Sequence, residues 1–187
     1  IMYPKSEPYK LCTFSRVMKE KGIEDAIDAV RSVNAHFGRT VYTLDIFGQV
    51  DAGYEERFSE LKKSFPSYIS YGGTIEANKS VEILKSYFAL LFPTYYKGEG
   101  FAGTLIDAMS AGVPVIASDW KYNSEFVVPG KTGVIIENCN AERLAEELIN
   151  IAAAPEKWNS MRLSSLKESE KYKPDIAARP LIDRING

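Results

Sequence analysis

The sequence has 187 residues, 45% of them hydrophobic and 26% charged, with a formal net charge of -2 at neutral pH. That is chain enough for one domain around one core, and Lys and Arg scattered among Asp and Glu leave no footprint for nucleic acid or an acidic membrane surface. Cys12 and Cys139 stand far apart, as free thiols of a cytoplasmic protein do, no signal peptide is visible, and no apolar run nears the roughly 20 residues of a bilayer span.

Short apolar runs alternate with amphipathic stretches, the signature of βαβ units around a parallel sheet. The first strand is expected from Lys10 to Val17. Ile23, Ala26, Ile27, Val30, Val33 and Phe37 then recur at helical spacing between Gly22 and Gly38, and Gly38 is a good stop. A second strand runs from Val41 to Phe47. The stretch Gly53 to Phe65 carries Tyr54, Phe58, Leu61 and Phe65 on one helical face, and Pro66 ends it before a third strand at Tyr68 to Tyr71. After a short helix over Ser80 to Tyr87, the run Ala89 to Thr94 is almost wholly apolar, as a central strand buried on both faces should be. A helix from about Gly103 to Ala111 leads to a fifth strand, Val113 to Ser118, and then to a sixth, Val134 to Ile136. Asn140 suits the N-cap of a helix holding Leu144, Leu148 and Ile151, which Pro155 ends. The tail from Glu156 to Gly187 reads as further helix, broken near Pro174 and Pro180.

The fold class this predicts is α/β, a doubly wound, Rossmann-like parallel sheet of about six strands in a single domain. In the strand order 3-2-1-4-5-6 the ligand crevice opens outside the carboxyl ends of strands one and four. The first strand runs into Ser15-Arg16-Val17-Met18-Lys19-Glu20-Lys21-Gly22, which puts Arg16 and Lys21 at that point. The fourth runs into Tyr95-Tyr96-Lys97-Gly98-Glu99-Gly100-Phe101-Ala102-Gly103-Thr104, a glycine-rich entry into a helix. Cations thus face free backbone amides, which suits a diphosphate. A helix N-terminus presents unpaired N–H groups, Gly103 lets a phosphate come close, Arg16 can fork onto phosphate oxygens and Lys21 can act as a point charge. Asp107 stands one turn beyond Gly103 on the same helix face, where it could read a ribose diol, and Glu99 at the loop tip could reach sugar hydroxyls. Taken singly, Arg16 and Lys21 could be solvated surface charges and Glu99 a solvated loop carboxylate; the topology favours function. The only histidine, His36, reads as structural, and no Asp-x-Asp triplet occurs, so no metal is expected. The first strand is not followed by Gly-x-Gly-x-x-Gly, which argues against a dinucleotide dehydrogenase.

At these residues the chain resembles the C-terminal, nucleotide-sugar-binding domain of the retaining glycosyltransferases with the two-domain GT-B fold, family 4, also called glycosyl transferases group 1. The block from Gly98 to Ser118 corresponds to that family's Glu-x7-Glu motif, and Arg16 to Gly22 to its Arg-x4-Lys-Gly stretch. Asp119-Trp120-Lys121-Tyr122-Asn123-Ser124-Glu125 and Pro129-Gly130-Lys131-Thr132-Gly133 are similar to polysaccharide-building members. The resemblance departs at Asp107, where the family has a glutamate one methylene longer. It implies a hexosyl transfer from a UDP- or GDP-sugar to an acceptor hydroxyl of a glycan or lipid-linked acceptor, with the anomeric configuration retained and no cofactor. Arg16, Lys21 and Glu99 would be catalytic. Phe101, Ala102, Gly103, Thr104 and Asp107 would bind the nucleotide sugar, and Gly73 and Ile75, within Tyr71-Gly72-Gly73-Thr74-Ile75, would line the base pocket. The expected location is the cytoplasm, with peripheral attachment at the inner face of the membrane open to the full-length enzyme. The sequence does not begin with Met and is read as an excised piece, inactive in transfer without its N-terminal acceptor domain. A regulatory nucleotide-binding module or an interaction domain without transferase activity remains the alternative.

Overall fold

The computed structural model describes residues 4–100, 103–137 and 139–173. Six strands form one sheet: β1 (Tyr9–Phe14), β2 (Tyr42–Phe47), β3 (Ile69–Gly73), β4 (Ala89–Phe92), β5 (Val115–Ser118) and β6 (Gly133–Ile136). Their order is β3-β2-β1-β4-β5-β6, every pair parallel, so the chain reverses its direction of travel across the sheet between β1 and β4. β1 pairs with β2 over six positions, from Tyr9↔Tyr42 to Phe14↔Phe47, but with β4 over only two, Leu11↔Ala89 and Cys12↔Leu90.

The connecting helices are α1 (Ile23–Phe37), α2 (Glu55–Lys63), α3 (Ser80–Leu84), α4 (Gly103–Ser110), α5 (Asn123–Phe126), α6 (Ala141–Ala153) and α7 (Pro155–Ser169). Successive residues of a strand point to opposite faces, and the two cores follow that alternation. Leu11, Leu91 and Ile116 join the core under α1 and α6, whereas Cys12, Leu90, Val115 and Ala117 join the one under α3 and α4. All of β4 and β5 is buried, which is why Ala89 to Phe92 carries no polar alternation. The α/β sandwich expected from the sequence is therefore the fold found.

Local chemistry fixes the element ends. Gly22 and Gly38 flank α1 in left-handed conformations, and Asn140 caps α6 by accepting from the Arg143 amide. Ala154 alone separates α6 from α7, and Pro155 opens α7, where its missing N–H costs nothing. β1 ends at Phe14, three residues short of the expected Val17, which forms only an isolated bridge with Val50. The four-residue α5 has no counterpart in the sequence reading, and Pro174 and Pro180 lie outside the described residues.

Candidate functional site

The loops that follow β1 and β4 are built against each other. Gly22, with φ near +70°, sits so close to β4's continuation that a Cβ there would lie 2.2 Å from the Pro93 carbonyl oxygen. Only glycine permits both that conformation and that approach. The Tyr95 amide donates to the Glu20 carbonyl at 2.8 Å, and the Thr104 hydroxyl donates to the Phe14 carbonyl at 3.0 Å, which ties the start of α4 to the end of β1.

Across this crevice Lys21 meets Glu99. The Lys21 ammonium donates to both carboxylate oxygens, at 2.8 and 2.6 Å, and each side chain is only 9% exposed. Buried Thr94 adds its hydroxyl to Glu99 Oε2 at 2.7 Å. Glu99, expected at the loop tip within reach of sugar hydroxyls, here turns to Lys21 and Thr94, a cation and a hydroxyl together offering it more than water does in so closed a place. Arg16 is 47% exposed and reaches Asp51 at 3.5 Å, a long and loose pair, with its guanidinium 5.5 Å from the centre of the Tyr96 ring. Asp107, half-buried on α4, accepts a 2.6 Å hydrogen bond from Ser80 at the start of α3. Gly73 closes β3 with φ near +76°, its carbonyl accepting from the Gly48 amide, and Ile75 follows half-buried. Gly103 is exposed at the first position of α4; Phe101 and Ala102 lie outside the described residues.

The structure thus joins Lys21 to Glu99 and the α4 entry to β1, and joins Asp107 to the segment that follows Ile75. It keeps Arg16 beside them without a tight partner. Thr94, Tyr96, Trp120 and Ser80 belong to the site and were given no role from sequence. Ser118 donates to the Thr94 carbonyl, and the Trp120 indole N–H donates to the Tyr96 carbonyl at 2.8 Å, so the segment after β5 braces the Glu99 loop from behind.

Volume and chemistry part company in this molecule. A cavity of about 450 Å³ lies at the amino end of the sheet, lined by Pro4, Lys5, Tyr9, Pro155, Glu156 and Asn159. Titratable groups converge instead at the opposite, carboxyl end, which is where a doubly wound sheet binds ligands. Among the described residues no group of three His, Cys, Asp or Glu side chains could hold a metal ion. Burial pushes the Cys139 thiol up to about 12 and lifts Cys12 well above its ordinary value, so neither is a thiolate at neutral pH. No described helix is long and apolar enough to cross a membrane.

Comparison with known proteins bears on this crevice. The sequence model of the glycosyl transferases group 1 family matches residues 3–165. The UDP-N-acetylglucosamine--peptide N-acetylglucosaminyltransferase GtfA subunit of Streptococcus pneumoniae is 29% identical over 182 residues, which are 96% of this chain and 34% of that protein. The C-terminal domain of a glycosyl transferase group 1 family protein (LpcC) from Francisella tularensis superposes with a TM-score of 0.76 at 19% identity, covering 89% of this chain and 87% of that one. Anabaena HepE in complex with UDP and glucose superposes at 0.82 with 16% identity, covering 95% of this chain and 48% of that one. The chain spans from about a quarter to just over a third of the length of the first curated relatives it matches.

Proposed function

We propose, from the premise that the chain belongs to the glycosyl transferases group 1 family, that it is the donor-binding domain of a retaining hexosyltransferase using a UDP- or GDP-sugar. The observation that carries the reading is the meeting of Lys21 and Glu99 across the β1–β4 crevice, beside exposed Arg16 and the exposed Gly103 that begins α4. In this reading Arg16 and Lys21 take the diphosphate together with amides at Gly103 and Thr104, and Phe101 and Ala102 are assigned to nucleotide-sugar binding. Glu99 turns to the donor sugar, Asp107 takes the ribose diol, and the Gly73 to Ile75 loop takes the base. UDP complexes and UDP-sugar names among similar proteins favour uridine.

The chemistry is leaving-group stabilisation. As the bond from the anomeric carbon to the β-phosphate oxygen breaks, its electron pair goes to that phosphate, while the acceptor hydroxyl bonds to the carbon and gives up its proton to the departing phosphate. Arg16, and Lys21 once it exchanges Glu99 for the phosphate, stabilise the growing charge. Glycan or lipid-linked acceptors, a role in polysaccharide synthesis and a cytoplasmic setting belong to the same proposal. Acceptor positioning and exclusion of water need an opposite wall, assigned here to an N-terminal domain of the same enzyme.

A thermal-shift panel of UDP, GDP, uridine and their sugar conjugates tests this, since a ligand that prefers the folded state raises the melting temperature as ln(1 + [L]/Kd). A nucleoside diphosphate is expected to bind, and Arg16→Ala to weaken it about tenfold while leaving the nucleoside unchanged. Equal losses for both ligands, or no binding of any nucleotide, would overturn the assignment. Efficient acceptor-dependent transfer by this chain alone, read by mass spectrometry, would overturn the donor-domain reading.

A further inference from the structure

Two cations on the β1 side of the crevice share one aromatic ring from the β4 side. Tyr96 lies 5.5 Å from the Arg16 guanidinium and 5.2 Å from the Lys21 ammonium, measured to the ring centre. Both distances fall within the range over which the negative face of a ring attracts a cation. The ring has little choice of position. A Cβ on Gly98 would come within 2.7 Å of its Cζ and hydroxyl, so the glycine leaves the space the ring fills.

Its main chain is held from three sides. The Tyr96 amide donates to the Thr94 hydroxyl at 3.2 Å, and its carbonyl accepts from the Glu99 amide at 3.1 Å and the Trp120 indole at 2.8 Å. The same Thr94 hydroxyl holds Glu99. One residue therefore touches both cations through its ring and sets the loop that carries the glutamate.

We propose that Tyr96 is a positioning residue of the donor site, holding Arg16 and Lys21 convergent on one anion before the anion arrives. The inference rests on the donor-site reading above. Without the ring, an exposed arginine whose acid partner Asp51 is 3.5 Å away samples many rotamers, and a diphosphate must order it at the moment of binding. The ring face does this work, not the hydroxyl, so phenylalanine should serve.

The test is calorimetric titration of the whole chain with UDP, GDP, inorganic pyrophosphate and uridine, for the wild type, Tyr96→Phe, Tyr96→Leu and Trp120→Phe. Tyr96→Leu is expected to weaken UDP and pyrophosphate about 5- to 20-fold with uridine unchanged, and Tyr96→Phe to restore affinity to within about twofold. Trp120→Phe keeps the ring but removes the donor to its carbonyl, and should cost UDP about 2- to 5-fold; it stands as the test should the leucine variant fail to fold. If Arg16→Ala weakens UDP while Tyr96→Leu and Trp120→Phe do not, the positioning role is wrong and the donor site stands. If Tyr96→Phe loses as much as Tyr96→Leu, or uridine falls in parallel, the ring-face role is wrong. A wild-type chain that binds neither UDP, GDP nor pyrophosphate overturns the donor site itself and this inference with it.

Discussion

Two cations are withdrawn from water at opposite ends of this sheet, and they are held in different ways. Arg162, on α7 at the amino end, is 1% exposed and donates to the carbonyls of Gly112, Tyr87 and Phe88 at 3.2, 2.6 and 3.1 Å, and to Asn159 Oδ1. Lys21, at the carboxyl end, is held by a carboxylate on a glycine-rich loop and by a ring. The carbonyls are fixed by the entries to β4 and β5 and cannot leave; Glu99 can. A cation bound to fixed dipoles staples helix to sheet, whereas one bound to a loop carboxylate can exchange that partner for another anion.

The largest effect should come from Arg162→Leu, which takes the guanidinium away from three buried carbonyls, that of Phe88 keeping the Trp158 indole as a donor. A loss of about 3–4 kcal/mol in urea unfolding is expected, with UDP affinity of the folded fraction unchanged. A loss below about 1 kcal/mol would erase the contrast. Lys21→Met should invert the pattern, weakening UDP about 10- to 100-fold in titration while moving the unfolding midpoint far less than Arg162→Leu does. If stability fell by as much as in Arg162→Leu, Lys21 would be a staple too. The smallest effect sets the baseline. Glu24 accepts from Arg57 and from the Tyr54 hydroxyl at the protein surface, and the Arg57 hydrogen bond chiefly holds its carboxyl below the ordinary value of 4.5. A depressed acid stabilises above its ordinary value and loses that contribution as pH falls. Glu24→Gln should therefore cost a little stability at pH 7 and progressively less as the pH is taken below 4.5, with UDP binding untouched at pH 7.

The order of strands and the place of the crevice were legible because parallel strands buried on both faces write themselves as apolar runs, and glycines mark where two loops must approach. Arg16, Lys21 and Glu99 were legible as charges at that crevice. Their partnership was not, because a separation of 78 positions from Lys21 to Glu99 carries no local signal. Thr94 looks like any strand-terminal threonine, and Tyr96 like any loop aromatic, until the fold sets one under Glu99 and the other between two cations. The end of β1 was placed three residues late because Ser15 to Val17 keeps an extended look while the chain already leaves the sheet. α5 is too short for an apolar periodicity to reveal, and its anchor is a buried side-chain contact, the Asn123 side-chain amide donating to the Ser118 carbonyl.

The pairing of β1 with β4 over two positions, against six with β2, has a mechanical meaning. The sheet has a seam there, with β1, β2 and β3 on one side and β4, β5 and β6 on the other. The charged crevice stands at the top of that seam, and Lys21 and Glu99 reach over it from the two sides. A diphosphate seated between them would act as a clasp on the joint, resisting the shear that two ladder positions resist least. Nucleotide occupancy and the rigidity of the whole sheet would then rise and fall together, even at strands that never touch the ligand.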